Sequence, residues 1–82
     1  MKKENFKEIT DKDLMVFLVA KGLKIVKIKK DPERNRSLVY FNDTAELENA
    51  VLAYTNKEEI NYGDYIAAEK RVKTLLSMQK MN

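Results

Sequence analysis

The carboxylates Glu58, Glu59 and Asp64 lie close enough in the sequence to share a hard cation such as magnesium. Acids gathered at the start of a helix more often complement its dipole, so no metal site is expected from them. Other chemistry is excluded by composition. The chain has no His and no Cys, which removes zinc sites, thiolate nucleophiles and imidazole bases. Ser37 and Ser77 sit in neither a nucleophile elbow nor reach of a suitable base. Gly22 and Gly63 are the two glycines of the chain, too few for a phosphate-cradling loop. The expectation is a protein that is not an enzyme and carries no cofactor.

What remains is charge and aromatic surface. The stretch from Lys21 to Arg36, KGLKIVKIKKDPERNR, holds seven of the sixteen Lys and Arg residues against Asp31 and Glu33. Lys24, Lys27, Lys29, Lys30, Arg34 and Arg36 can track a phosphate backbone, since a two-stranded ribbon fits a major groove. Equally, lysines on a short exposed sheet block edge-to-edge aggregation. Lys outnumbers Arg here, and bidentate base reading relies mainly on Arg, so nucleic-acid binding by this segment is expected to be largely nonspecific. Of the four tyrosines, Tyr54 and Tyr65 read as core-edge residues, and Tyr40 and Tyr62 as contact residues.

These side chains must be positioned by a small set of elements. Phe6 to Ile9 either forms a short edge strand or leads into the first helix. Thr10-Asp11-Lys12-Asp13 supplies an N-cap and first-turn acid for a helix through LMVFLVAK, which ends at Gly22, the expected left-handed residue. Leu14, Phe17 and Leu18 share one face, and Met15 and Val19 widen it, so this helix is largely buried. Leu23 to Lys30 alternates imperfectly. Val26 and Ile28 fall on one face with Lys24 and Lys30, and Leu23 and Ile25 on the other with Lys27 and Lys29. Asp31-Pro32-Glu33 makes the turn, and Asn35 is suited to a left-handed conformation before the return strand.

Ser37 to Phe41 is apolar on both faces, with Leu38 and Tyr40 on one and Val39 and Phe41 on the other. One side is expected under helices. The second must meet another helix, water or another protein. Asp43-Thr44-Ala45-Glu46 then opens a helix with Leu47, Ala50, Val51 and Tyr54 in one stripe, ended by Thr55-Asn56-Lys57. Asn61 caps a last helix, from Tyr62 to about Gln79, with Tyr65, Ala68, Val72, Leu75 and Leu76 inward. The order (β)-α-β-β-α-α predicts a two-layer α+β domain: a small antiparallel sheet built on a central hairpin, with about three helices on one face.

Eighty-two residues, 44% apolar and 35% charged, suit a single globular domain across residues 1–82. Residues 1–36 carry eleven Lys and Arg against six acids, a net +5, whereas residues 37–82 carry five against seven, a net −2. A basic half can bind an anion, or meet the acidic half of a second copy. The N-terminal MKKENFKEIT lacks the apolar run of a signal peptide, and Leu14 to Ala20 is too short to span a bilayer. A cytoplasmic location with no membrane partner is expected.

The chain resembles a small family of uncharacterised domains met mostly in phages, prophages and plasmids. The resemblance lies in Thr10-Asp11 with the helix carrying Phe17-Leu18, in Lys21-Gly22 with its Ile/Val strand, and in Tyr40-Phe41-Asn42-Asp43-Thr44. It continues through Glu46-Leu47, Tyr54 and a C-terminal helix with Lys73 before Leu75-Leu76. It implies a mobile-element setting and no catalytic residues. Together these readings predict a small binding protein of phage type in the host cytoplasm. It self-associates through Ile25, Leu38 and Tyr40, with Ile25 the expected cross-strand neighbour of Tyr40 and Lys27 and Lys29 at the rim. Its basic hairpin and Tyr62 hold a host defence protein, a nucleotide signal or another anionic ligand. The alternative is a basic accessory domain that binds nucleic acid.

Overall fold

The computed structural model describes residues 5–34 and 36–80. Its elements run β1 (Phe6–Ile9), α1 (Lys12–Ala20), β2 (Ile25–Lys30), β3 (Ser37–Asn42), α2 (Ala45–Thr55) and α3 (Tyr62–Lys80). The α+β order is the expected one, and Phe6–Ile9 is a strand. Asn35 lies outside the described residues.

Each helix starts where the local chemistry places it. Asp11 Oδ1 accepts from the Asp13 and Leu14 amides at 3.0 and 3.4 Å. Thr44 Oγ1 accepts from Leu47 N at 3.1 Å, and Asn61 Oδ1 from Gly63 N at 2.8 Å and Asp64 N at 3.3 Å. These caps satisfy amides that the first helical turn leaves without partners. The ends of α1 and α2 share one device. Gly22 N donates to Val19 O and Leu23 N to Leu18 O, while Lys57 N donates to Tyr54 O and Glu58 N to Ala53 O. Both are Schellman ends, which require a left-handed residue. Gly22 takes it with φ +100°, and Lys57 takes it with φ +59°.

The three strands lie in the order β1-β3-β2, with both pairings antiparallel. β3 is therefore the central strand, and the β2–β3 hairpin is not a free two-stranded ribbon. Val39 and Phe41 of β3 are buried together with Ile9 of β1. They join Met15, Val16 and Leu18 of α1, Leu47 and Ala50 of α2, and Ala68 and Val72 of α3 in one core. Met15 to Leu18 are four consecutive buried residues, so the middle of α1 is buried around most of its circumference, while Lys12 and Asp13 at its start are exposed. No polar side chain is buried among the described residues. The molecule is only 20 Å thick in its shortest dimension, enough for one helical layer against the sheet.

The register of β2 corrects one expectation. Ile25 pairs with Phe41 and Ile28 with Val39, so both isoleucines lie on the core face. Their odd spacing is accommodated by a β-bulge: Val26 and Lys27 together stand opposite Tyr40. Ile25 is therefore not the cross-strand neighbour of Tyr40, and it does not share a surface with Leu38 and Tyr40. Nor does Val26 share the face of Ile28. The cause is energetic, because burying both isoleucines is worth more than an unbroken ladder at a strand edge.

Candidate functional site

Among the described residues, the helices cover one side of the sheet and no element covers the other. On the open side, Tyr40 at the centre of β3 has Lys27 beside it on β2 and Glu8 beside it on β1. Leu38, two residues along β3, has Lys29 beside it. Val26, lifted by the bulge, is 44% exposed, and Phe6 at the β1 edge is 45% exposed. Leu38 and Tyr40 themselves are half-buried, shielded by their strand neighbours rather than by a second layer. An apolar strip thus crosses the middle of the face, with two ammonium groups along one side and one carboxylate along the other.

Tyr40 Oη donates to Glu8 Oε1 at 3.0 Å. That hydrogen bond, followed by partial burial and the charge of Glu8, raises the Tyr40 hydroxyl above the ordinary tyrosine pKa. The bond ties β1 to β3 through side chains and fixes the ring over the sheet. Glu8, Phe6 and Val26 were not singled out by sequence reasoning. For Val26 the signal was the odd Ile25–Ile28 spacing, which places both isoleucines on one face only if a bulge lies between them, whereas Glu8 and Phe6 reach the face through the β1–β3 pairing.

The remaining basic residues are dispersed. Lys24 precedes β2 and lines a groove of about 330 Å³ with Val19, Leu23, Ile25, Arg71 and Leu75, toward the helical layer. Lys30 pairs with Ser37 beside the turn, and Arg34 is exposed within it. Arg36 is held by the turn: its Nε donates to Asp31 Oδ2 at 3.2 Å, and Asp31 N donates to Arg36 O at 3.0 Å. Asp31 Oδ1 also accepts from Glu33 N at 3.0 Å. That backbone N–H, with further help from Arg36, holds the Asp31 carboxyl below its usual range against the opposing effect of burial. The Arg36 charge is thus spent within the hairpin.

Tyr62 is 78% exposed at the start of α3. It follows Glu58 by four residues, and Glu58 forms an ion pair with Lys21 at the end of α1. Arg34 instead lines a groove at the hairpin turn with Lys30, Asp31, Pro32 and Glu33, and Tyr62 is not among its residues. Tyr54 packs edge-on against Phe17, with centroids 5.3 Å apart, and Tyr65 packs against the core, as core-edge residues do. Burial, with Asp11 and Asp13 nearby, raises the Tyr54 hydroxyl. A second groove, of about 400 Å³, is lined by Lys21, Glu46, Asn49 and Glu58 among others, a mixture without a dominant charge.

Among the described residues, no three His, Cys, Asp or Glu side chains gather as metal ligands would, and no helix is long and apolar enough to cross a membrane. The model of the family described as Domain of unknown function (DUF5659) matches residues 3–78, and the chain belongs to that family. No curated protein and no solved structure matches it.

Proposed function

We propose that the protein is a small non-enzymatic binding module whose working surface is the open face of its sheet. One observation supports this reading above the others: Leu38 and Tyr40, on the central strand, face away from a core already complete beneath Val39 and Phe41. Two apolar faces on a strand in a single-layer sheet imply a contact on the second. In this reading the module works in the cytoplasm of a host cell, as an accessory of a phage or other mobile element. Its target is an anionic ligand, such as a nucleotide signal, or a host defence protein.

A second copy also fits the face, but weakly. Three strands about 4.8 Å apart and some 20 Å long expose on the order of 300 Å² in projection. Even doubled for side-chain relief, two copies would bury about 1,200 Å² in total, the lower edge of specific interfaces. Self-association is then transient and competes with target binding. Sedimentation velocity from micromolar to millimolar protein tests this. Wild type should grow in mean mass with concentration, and Tyr40→Asp should remain monomeric with an unchanged circular dichroism spectrum. Identical mass profiles for the two chains would remove the open face as a self-association surface.

A further inference from the structure

We propose that the open face binds single-stranded nucleic acid, with Tyr40 and Leu38 as a shelf for two successive bases and Lys27 and Lys29 on their phosphates. The inference rests on the reading that this face is the working surface, and it names the class of target.

Register carries the argument. Tyr40 pairs with Lys27 and Leu38 with Lys29, so the same unit, an apolar platform beside a cation, occurs twice along the strands. The two units are two residues apart, about 7 Å, which suits the repeat of an extended single strand. The bulge makes this arrangement. Without the extra residue at Val26, continued pairing from Ile25–Phe41 would turn Lys27 and Lys29 toward the helices.

The charges are also polarised across the face. Lys27 and Lys29 line the β2 side, and Glu8 lies on the β1 side, held by the Tyr40 hydroxyl. Phosphates are steered to the lysines, and bases cross β3 toward a carboxylate that accepts from exocyclic amino groups. Phe6, diagonal to Tyr40 on β1, extends the shelf. Duplex DNA offers no splayed base to Tyr40, so single strands are preferred. A second copy suits the face less well, because two lysines against one carboxylate leave like charges facing each other.

The test uses a fluorescein-labelled deoxycytidine decamer, whose bases carry the exocyclic amino group that Glu8 would accept from, and fluorescence anisotropy across a salt series, with a hairpin duplex as competitor. Wild type should bind the decamer more tightly than the duplex. The double variant Lys27→Gln, Lys29→Gln should flatten the slope of log K against log salt by about 1.4, two phosphates' worth. Tyr40→Leu keeps apolar bulk but removes the ring, and should weaken binding roughly 5- to 150-fold. The double variant Lys70→Gln, Lys73→Gln, on the exposed side of α3, should bind as wild type does. Absence of binding at low salt, equal affinity for duplex, wild-type affinity in Tyr40→Leu, or equal losses in both lysine variants would each overturn the proposal. If binding is absent while Tyr40→Asp still abolishes self-association, the open face remains the contact surface and only the nucleic-acid assignment falls.

Discussion

Replacing Lys57 by Gly should stabilise the protein, although it deletes a charged side chain from a helix end. Lys57 occupies the left-handed position of the Schellman end of α2 at φ +59°. An L-residue pays about 1–2 kcal/mol for that conformation, which Gly does not. Two terms oppose the gain. Gly is more disordered in the unfolded chain, by roughly 0.5–1 kcal/mol. The ammonium group near the helix C-terminus also contributes about 0.3 kcal/mol at an exposed site. The balance is a gain of about 0.5 kcal/mol, or roughly 2–4 °C in Tm for a domain of this size.

The same chain provides the converse test. Gly22 holds the equivalent position in α1 at φ +100°, and a Cβ there would meet nothing within 4 Å. Gly22→Ala therefore meets about 1–2 kcal/mol of conformational strain without a clash, offset by the roughly 0.5–1 kcal/mol that Ala saves in the unfolded chain, and the net loss of about 0.5–1 kcal/mol should lower Tm by roughly 2–8 °C. Differential scanning calorimetry on both variants decides the matter, with urea denaturation to confirm an unchanged m-value. A Lys57→Gly protein that melts lower than wild type, beside a Gly22→Ala protein that melts with it, would refute the argument that left-handed strain governs these two helix ends.

Two further predictions follow from the sheet. Tyr40 should ionise above the ordinary tyrosine value, and Glu8→Gln should bring it down, which ¹³C-labelled tyrosine NMR resolves through an alkaline titration. Because folding raises this pKa, the associated stability is fully present below the unfolded-state value near 10 and is lost as pH rises through the folded one. The bulge is tested by neighbouring substitutions in β2: Ile28→Ala, on the core side, should cost about 1–2 kcal/mol, and Val26→Ala less than about 0.5. Equal losses in chemical denaturation would mean that Val26 contributes to the core and that the register is wrong.

The placement of the cations changes what the basic segment can do. Seven Lys and Arg between Lys21 and Arg36 suggest one positive field. In the fold, Lys21 is paired with Glu58, Arg36 with Asp31, Lys24 turns toward the helical layer, and Lys27 and Lys29 stand on the open face. The field is divided among separate surfaces, and only the last two lysines flank exposed apolar groups.

The elements themselves were legible because their signals are local. Asp11, Thr44 and Asn61 cap the helices they precede, Gly22 ends α1, and Asp31-Pro32-Glu33 turns the hairpin; each acts within a few residues of itself. Period-two alternation likewise separated Val39 and Phe41 from Leu38 and Tyr40 before any partner strand was known. The composition of the candidate site was different. That β1 adds to β3 and brings Glu8 to Tyr40, and that a bulge withdraws Ile25 from the open face, depend on pairings between residues 32 and 16 apart in sequence, Glu8–Tyr40 and Ile25–Phe41. Such pairings are chosen by the total burial they allow, a property of the assembled core rather than of any segment. Sequence therefore determined which strand has a face to spare, and tertiary structure alone decided which side chains stand around it.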